Sequence, residues 1–333
     1  MRPGATISAA LAWLFLAGGA GAQTLTIGVA APLSGPSAIL GKQIQAGAGL
    51  AAQANGIELR TEDDACTADG GAAAARVFAA AKVSVVVGFL CTEAIEAAMP
   101  ILKDANIPVI TVGVRTESLT DRRAKTGWPV YRLGPRGDDE RNAVASTLTR
   151  LWQNELFAII DDGTIYGREM AETFRAAAEQ AALKPVFVDT FRPQLDNQIG
   201  MIGRLKKAGA THVFAGGENL RTPPADVPYA TGTLMIAPPE WADVADAKVL
   251  ESFSARKIVP DGYTLPAYAA VEIAKAASSL SGSSGGALAD ALTGRDFTTA
   301  IGPVRFDAKG DLSQSLYRVF RFDGTRFVPL EGN

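Results

Sequence analysis

The feature that most constrains this chain is a rhythm. Short apolar runs alternate with alanine-rich amphipathic stretches from residue 24 to about residue 216. Residues 24–31 (TLTIGVAA), 57–61, 83–88 (VSVVVG), 108–112 and 130–133 read as strands. Several of these are continuously apolar rather than alternating, as strands are when a parallel sheet is covered on both faces. Helical patterns at 43–53, 70–82, 92–104 and 139–152 lie between or after them. The same rhythm continues with strands at 156–160, 186–190 and 212–215 and helices at 166–182 and 199–208. The expected fold is α/β, with two doubly wound parallel-sheet units of three layers each. In such folds ligands bind beyond the carboxyl ends of strands, where strand order reverses. Cys91-Thr92, the turn after Val112, Asp161-Asp162 and residues 216–218 stand at such ends.

Beyond Glu218 the rhythm changes. Residues 221–229 (RTPPADVPY) are too proline-rich for a helix. A short strand at 233–236 and helices at 241–257 and 263–280 follow, then a flexible connector at 281–286 (SGSSGG). Residues 302–311 read as a strand and a turn. Stretches 316–322 and 325–328 read as a hairpin around Asp323-Gly324.

Composition narrows the function. Thirty-two basic against 35 acidic residues leave a net charge of −3 without a basic run, which disfavours nucleic acid and anionic membranes as partners. One histidine and two cysteines cannot build a zinc site. His212 would have to serve any Ser-His-Asp arrangement, yet it sits inside a strand pattern and reads as a packed strand residue. Gly35 and Gly41-Lys42 are wrongly spaced for a phosphate loop, and Gln43 stands where Ser or Thr is needed. Gly216-Gly217 lacks the third glycine of a dinucleotide site. Asp161-Asp162 lacks the further oxygen ligands of a calcium or magnesium loop and reads as a solvated pair at a strand end. No enzyme, metal or cofactor is expected.

The first residues point to export. Arg2, the apolar run 9–17 (AALAWLFLA) and the small residues ending Ala20-Gly21-Ala22 form a signal peptide, with cleavage expected after Ala22. The apolar run is too short to span a bilayer. In the oxidising periplasm, Cys66 and Cys91 favour one disulfide, worth roughly 3 kcal/mol in the chain-entropy account. Two buried free thiols are the alternative.

Several stretches together resemble one family. Residues 27–40 (IGVAAPLSGPSAIL), 62–66 (EDDAC), 87–92 (VGFLCT), 107–111 (IPVIT) and 158–167 (AIIDDGTIYG) match it in order. So do Gly216-Gly217, 263–270 (YTLPAYAA) and 302–312 (GPVRFDAKGDL). The chain resembles the periplasmic leucine/isoleucine/valine-binding proteins, the substrate-binding components of branched-chain amino-acid ABC transporters. The resemblance implies two lobes joined by three hinge crossings, with the second lobe shortened. The N-terminal lobe would hold 23–134 and 262–313, and the C-terminal lobe 135–261 and 314–333. It implies a cysteine pair in the family's disulfide positions, no cofactor and a monomer. A small-molecule ligand (an amino acid or small carboxylate) would be caught between the lobes, and the closed form would be recognised by a permease in the inner membrane. A periplasmic sensor or accessory protein of the same fold, signalling to a partner, is the second function class.

Carried over residue by residue, the resemblance gives Thr92 the ligand's α-carboxylate at a helix start, with a simple N-cap as the alternative. Gly113 would offer its carbonyl to the α-ammonium, and Tyr166 would stand at the cleft edge of the second lobe. Arg115 occupies the family's Thr or Ser position and could grip a carboxylate bidentately. It could instead pair with Glu93, itself a candidate site residue, or with Glu117, and a shift of one residue would return the role to Thr116. Leu40 and Glu218 replace family aromatics. About one helix–strand unit is absent after Glu218, and with it the acid that pairs with the α-ammonium, for which Glu218 or Glu240 could substitute.

Overall fold

The computed structural model describes residues 25–191, 197–216, 229–284 and 287–330. The expected signal peptide, Gly217, Glu218 and residues 221–228 lie outside the described residues.

Lobe one begins with β1 (Thr26–Ala31), α1 (Ala38–Asn55), β2 (Glu58–Asp63), α2 (Ala68–Ala81), β3 (Val85–Gly88) and α3 (Thr92–Asp104). It continues through β4 (Val109–Thr111), the single turns α4 (Ser118–Asp121) and α5 (Arg123–Thr126), and β5 (Val130–Arg132). All five strands are parallel, in the order β2-β1-β3-β4-β5. β1 pairs with β2 from Thr26↔Glu58 to Ala31↔Asp63 and with β3 from Ile27↔Val85 to Ala30↔Gly88. The order reverses beside β1, so the crevice between the carboxyl ends of β1 and β3 is where a ligand is expected.

Both faces of this sheet are covered, which is why its strands can be apolar throughout. Phe78, Ala94, Ile95, Met99 and Leu102 pack with Val86 and Val109 on one face. Ile44, Ala48 and Ala51 of α1 pack with Ile27, Val29 and Val85 on the other. A later helix completes that second layer. After the second lobe the chain returns through α9 (Trp241–Val244), α10 (Ala247–Ala255), α11 (Thr264–Ser284), α12 (Leu288–Leu292), β10 (Asp296–Thr299) and β11 (Gly302–Arg305). Leu265, Val271 and Ile273 of α11 join the α1 side of the core. The two helices approach so closely that a Cβ on Gly47 would lie 1.9 Å from the Thr264 carbonyl oxygen, so only glycine fits there.

Between these passes the chain builds lobe two. It holds α6 (Asp139–Leu151), β6 (Phe157–Asp161), α7 (Ile165–Gln180), β7 (Phe187–Thr190), α8 (Ile199–Lys207), β8 (His212–Gly216) and β9 (Leu234–Ala237), with β12 (Arg318–Phe322) and β13 (Phe327–Pro329) added at the end. Its strands do not form one sheet. β7-β6-β8 is a parallel ladder, and β13-β12-β9 is a separate antiparallel one. β8 and β9 are therefore both edge strands among the described residues.

Several local expectations change. Residues 241–257 are two helices, not one, because the Asp246 carboxylate accepts from the Lys248 and Val249 amides and starts α10 afresh. The first four residues of the expected connector at 281–286 continue α11 as helix to Ser284. α10, which the sequence division assigns to the second lobe, buries Phe253 in the core of lobe one.

Among the described residues, the largest fully buried side chain is a charged one, at the hinge. Arg132, fully buried at the end of β5, donates to Asp311 (2.8 Å), to the Val114 and Thr116 carbonyls (2.7 and 2.9 Å) and to Thr120. Arg136, four residues on in the first crossing, donates to the other Asp311 oxygen at 2.9 Å. Two crossings thus share one carboxylate.

Candidate functional site

Beside the reversal point, the carboxyl ends of β3 and β4 come together. The turn after β3 runs through Cys91 into α3, and the turn after β4 carries residues 113–117. The Thr92 and Thr116 hydroxyls lie 2.6 Å apart, a hydrogen bond joining the two turns. Cys91, not Thr92, is the N-cap residue of α3, and the Thr92 side chain turns to Thr116 instead of capping. The α3 amides at this end therefore remain available, and a helix amino end presents partial positive charge to an anion.

The 113–117 turn is fixed from behind. Arg132 holds the Thr116 carbonyl, and the Arg115 carbonyl accepts from the Gly137 amide at 2.7 Å. Gly113 is packed so tightly that a Cβ would lie 2.3 Å from Leu90 Cδ2 and 3.0 Å from Tyr263 Cε1. Arg115 is exposed, and its guanidinium donates to the Tyr317 hydroxyl at 2.9 Å. It pairs with neither Glu93 nor Glu117. Glu117 instead faces Arg141 of α6 across the cleft at 3.8 Å, and Arg141 reaches Glu169 of α7 at 3.2 Å. Glu93 is exposed in the first turn of α3, and Leu40 stands 37% exposed near the start of α1.

A disulfide joins Cys66 to Cys91 and ties the β2–α2 loop to the start of α3. Below it Asp64 is completely buried. One of its oxygens accepts from the Cys66 amide at 2.9 Å, and the other has no partner. Burial pushes its carboxyl up to about 6, against the opposing pull of that hydrogen bond.

The second lobe faces this site with the carboxyl ends of β6 and β8. Asp161 is buried rather than solvated, since it accepts from the Gly163 amide (2.8 Å) and the Thr190 hydroxyl (3.0 Å). Asp162 accepts from Thr164, whose own hydroxyl caps α7 by accepting from the Gly167 amide. Both carboxylates are engaged in shaping the turn. Tyr166 follows in the first turn of α7, half-buried against the Trp152–Phe174 cluster. His212 is a strand residue as expected, its ring 5.3 Å from that of Trp152. Glu240 is exposed and leads into α9, whose Trp241 packs against the core of lobe one.

Between β8 and β9 lies a cavity of about 800 Å³. Tyr166 and Gly216 line it at the cleft end, and Trp152, Thr211 and His212 line it at the far end. Sequence reasoning does not find this cavity. Nor does it find Arg132, Asp311 or Tyr317, although an arginine inside the apolar strand stretch Val130–Leu133 is a signal that a buried charge needs a partner.

Known proteins share this architecture. A family model described as periplasmic binding protein matches residues 24–223. The Leu/Ile/Val-binding protein homolog 3 of Brucella melitensis is 28% identical, over 92% of this chain and 94% of its own length. An amino acid binding protein of Pseudomonas aeruginosa is 27% identical, over 90% of each. A Desulfitobacterium hafniense ABC-transporter substrate-binding protein in complex with Leu superimposes with a TM-score of 0.67 at 21% identity, over 92% of this chain and 99% of that one. A solute-binding protein from R. palustris in complex with benzoate gives 0.60 at 19%, over 92% and 95%. The chain belongs to the periplasmic binding protein family. It is of the type that serves ABC transporters as solute-binding component, with two α/β lobes around a cleft.

Proposed function

We propose that the cleft binds an amino acid or a small carboxylate or amide and presents it to an ABC permease in the inner membrane. The observation that carries this reading is the Thr92–Thr116 hydroxyl pair at the amino end of α3, with Arg115 beside it. Two hydroxyls and free helix amides on one wall suit a carboxylate head, and Arg115, which donates to Tyr317, is the residue before Thr116. The names of the relatives, which bind branched-chain and other amino acids, support the same class.

In this reading Gly113 offers its carbonyl to an ammonium where the ligand has one, Leu40 covers the head group, and Tyr166 meets it from lobe two. Glu93 stands at the rim, and Glu218 or Glu240 supplies the acidic partner. The lobes turn about crossings near residues 134, 239 and 313, because α9 and α10 pack with lobe one. The protein works as a monomer in the periplasm after cleavage behind Ala22, and it binds and releases without catalysis.

A thermal-shift panel of amino acids, aromatic acids, amides and urea tests the reading. A ligand at 100 times its Kd should add about 2.7 kcal/mol of stability. Flat melting curves across the whole panel would overturn it.

A further inference from the structure

The cleft wall of lobe one is polar and small, whereas the cavity in lobe two is apolar and large. We infer that the cavity is the ligand's tail pocket, so that the preferred ligand is a carboxylate bearing an extended apolar body. This inference rests on the carboxylate reading above and names the ligand class within it.

Contacts across the cleft bring the two parts together. Glu117 is next to Thr116, and it faces Arg141 on α6, which in turn holds Glu169 on α7. Arg141 adjoins Glu140, and Tyr166 is one turn before Glu169; Glu140 and Tyr166 both line the cavity. A head group at Thr92 and Thr116 therefore lies at the end of lobe two where the cavity begins.

Among the described residues β8 and β9 belong to ladders that do not meet, and the cavity lies between them. Helices α6 and α7 form its wall, and Val144, Leu148, Met170, Phe214, Met235 and Tyr229 supply an apolar lining. Its volume of about 800 Å³ lies in the upper part of the ~300–1,000 Å³ range of ligand pockets. At roughly 30 Å³ for a group the size of a water molecule, the isobutyl tail of leucine would leave most of it empty. Glu140 on the cleft side and Arg321 also line the cavity, and the rest of its wall is chiefly apolar. The tail that fits is apolar.

The test is calorimetric titration of the full mature chain with acetate, butanoate, hexanoate, octanoate, phenylacetate and 4-phenylbutyrate, alongside leucine and benzoate. Affinity should rise about threefold to fourfold per added methylene while the tail is entering the cavity. Met170→Trp and Val144→Phe fill the cavity from two different helices. Each should abolish the gain with chain length while leaving the short acids unchanged, and circular dichroism melts identify a variant that fails to fold. Arg115→Ala should weaken all the acids by a similar factor. If leucine or benzoate binds and affinity stays level or falls as the chain lengthens, the tail-pocket inference is overturned and the carboxylate reading stands. If no acid or amino acid of any length binds, the carboxylate reading itself fails. A chain-length gain that survives both filled-cavity variants would also overturn the inference, because the tail would then lie elsewhere.

Discussion

The two lobes begin from the same strand–helix rhythm and finish differently. In lobe one five parallel strands form a single sheet, and residues such as Ile27, Phe78, Val86 and Ile110 are wholly inaccessible. In lobe two the six strands among the described residues divide into two ladders, and Val188, Ile199, Ile202 and Val213 remain substantially exposed. Lobe one is thus a rigid frame on which a few hydroxyls and amides can be held within hydrogen-bonding tolerance. Among the described residues lobe two has no continuous sheet, and a cavity of about 800 Å³ lies between its two ladders. In the reading proposed above, recognition by directional bonds belongs to the first lobe and accommodation of apolar bulk to the second.

The largest expected effect falls where the frame carries its buried charge. Arg132→Ala takes from Asp311 one of its two arginine partners and leaves the Val114 and Thr116 carbonyls without that donor, and should cost about 3–5 kcal/mol in denaturant unfolding. A loss under 1 kcal/mol would mean that the rigidity of lobe one does not depend on the hinge charges. Next comes the disulfide. Replacing both Cys66 and Cys91 by serine should cost about 2–4 kcal/mol and should raise amide exchange in the β2–α2 and β3–α3 turns more than anywhere in lobe two. Equal exchange in both lobes would dissolve the contrast between them.

Asp64→Asn should act in the opposite direction. The folded carboxyl is raised to about 6 from an ordinary value of 3.8, so the folded state holds its proton more tightly than the unfolded chain does. The associated stability is present below about pH 4 and is lost as pH rises through 6. The variant should therefore gain on the order of 1–2 kcal/mol at pH 7, and its stability should vary less between pH 4 and 6 than that of the parent. The gain is limited because the new amide group still finds no acceptor at the site of the unpartnered oxygen. Smallest of all, Val213→Thr on the exposed side of β8 should shift stability by no more than about 0.5 kcal/mol. A loss of 2 kcal/mol or more would show that this face of lobe two is covered in solution.

The contrast was only half legible in the sequence. Periodicity locates α3 at its observed ends and most of lobe one within a few residues, because continuously apolar strands and alanine-rich helices obey local rules. It fails where distant groups decide. The break at Asp246 depends on one carboxylate capping a helix, and α10 joins lobe one because Phe253 finds its place in a core made by residues 200 positions earlier. The position of Thr92 follows from resemblance. Its pairing with Thr116 and the tether from Arg115 to Tyr317 are long-range facts that no spacing encodes. The gap between β8 and β9 is hardest to foresee. Strand patterns announce which segments are extended, but not whether two edges will find each other.

The shared carboxylate at the hinge bears on how the molecule can report that it is loaded. Asp311 answers to Arg132 at the end of β5 and to Arg136 in the first crossing, while Arg132 also grips the turn bearing Thr116. Two crossings fastened to one anchor cannot swivel independently, so the lobes are geared like a pair of doors on a common spindle. Under the reading proposed above, an anion held by Thr92 and Thr116 would pull on that spindle directly. The angle between the lobes would then be a mechanical gauge of occupancy, legible to a membrane partner that never touches the ligand.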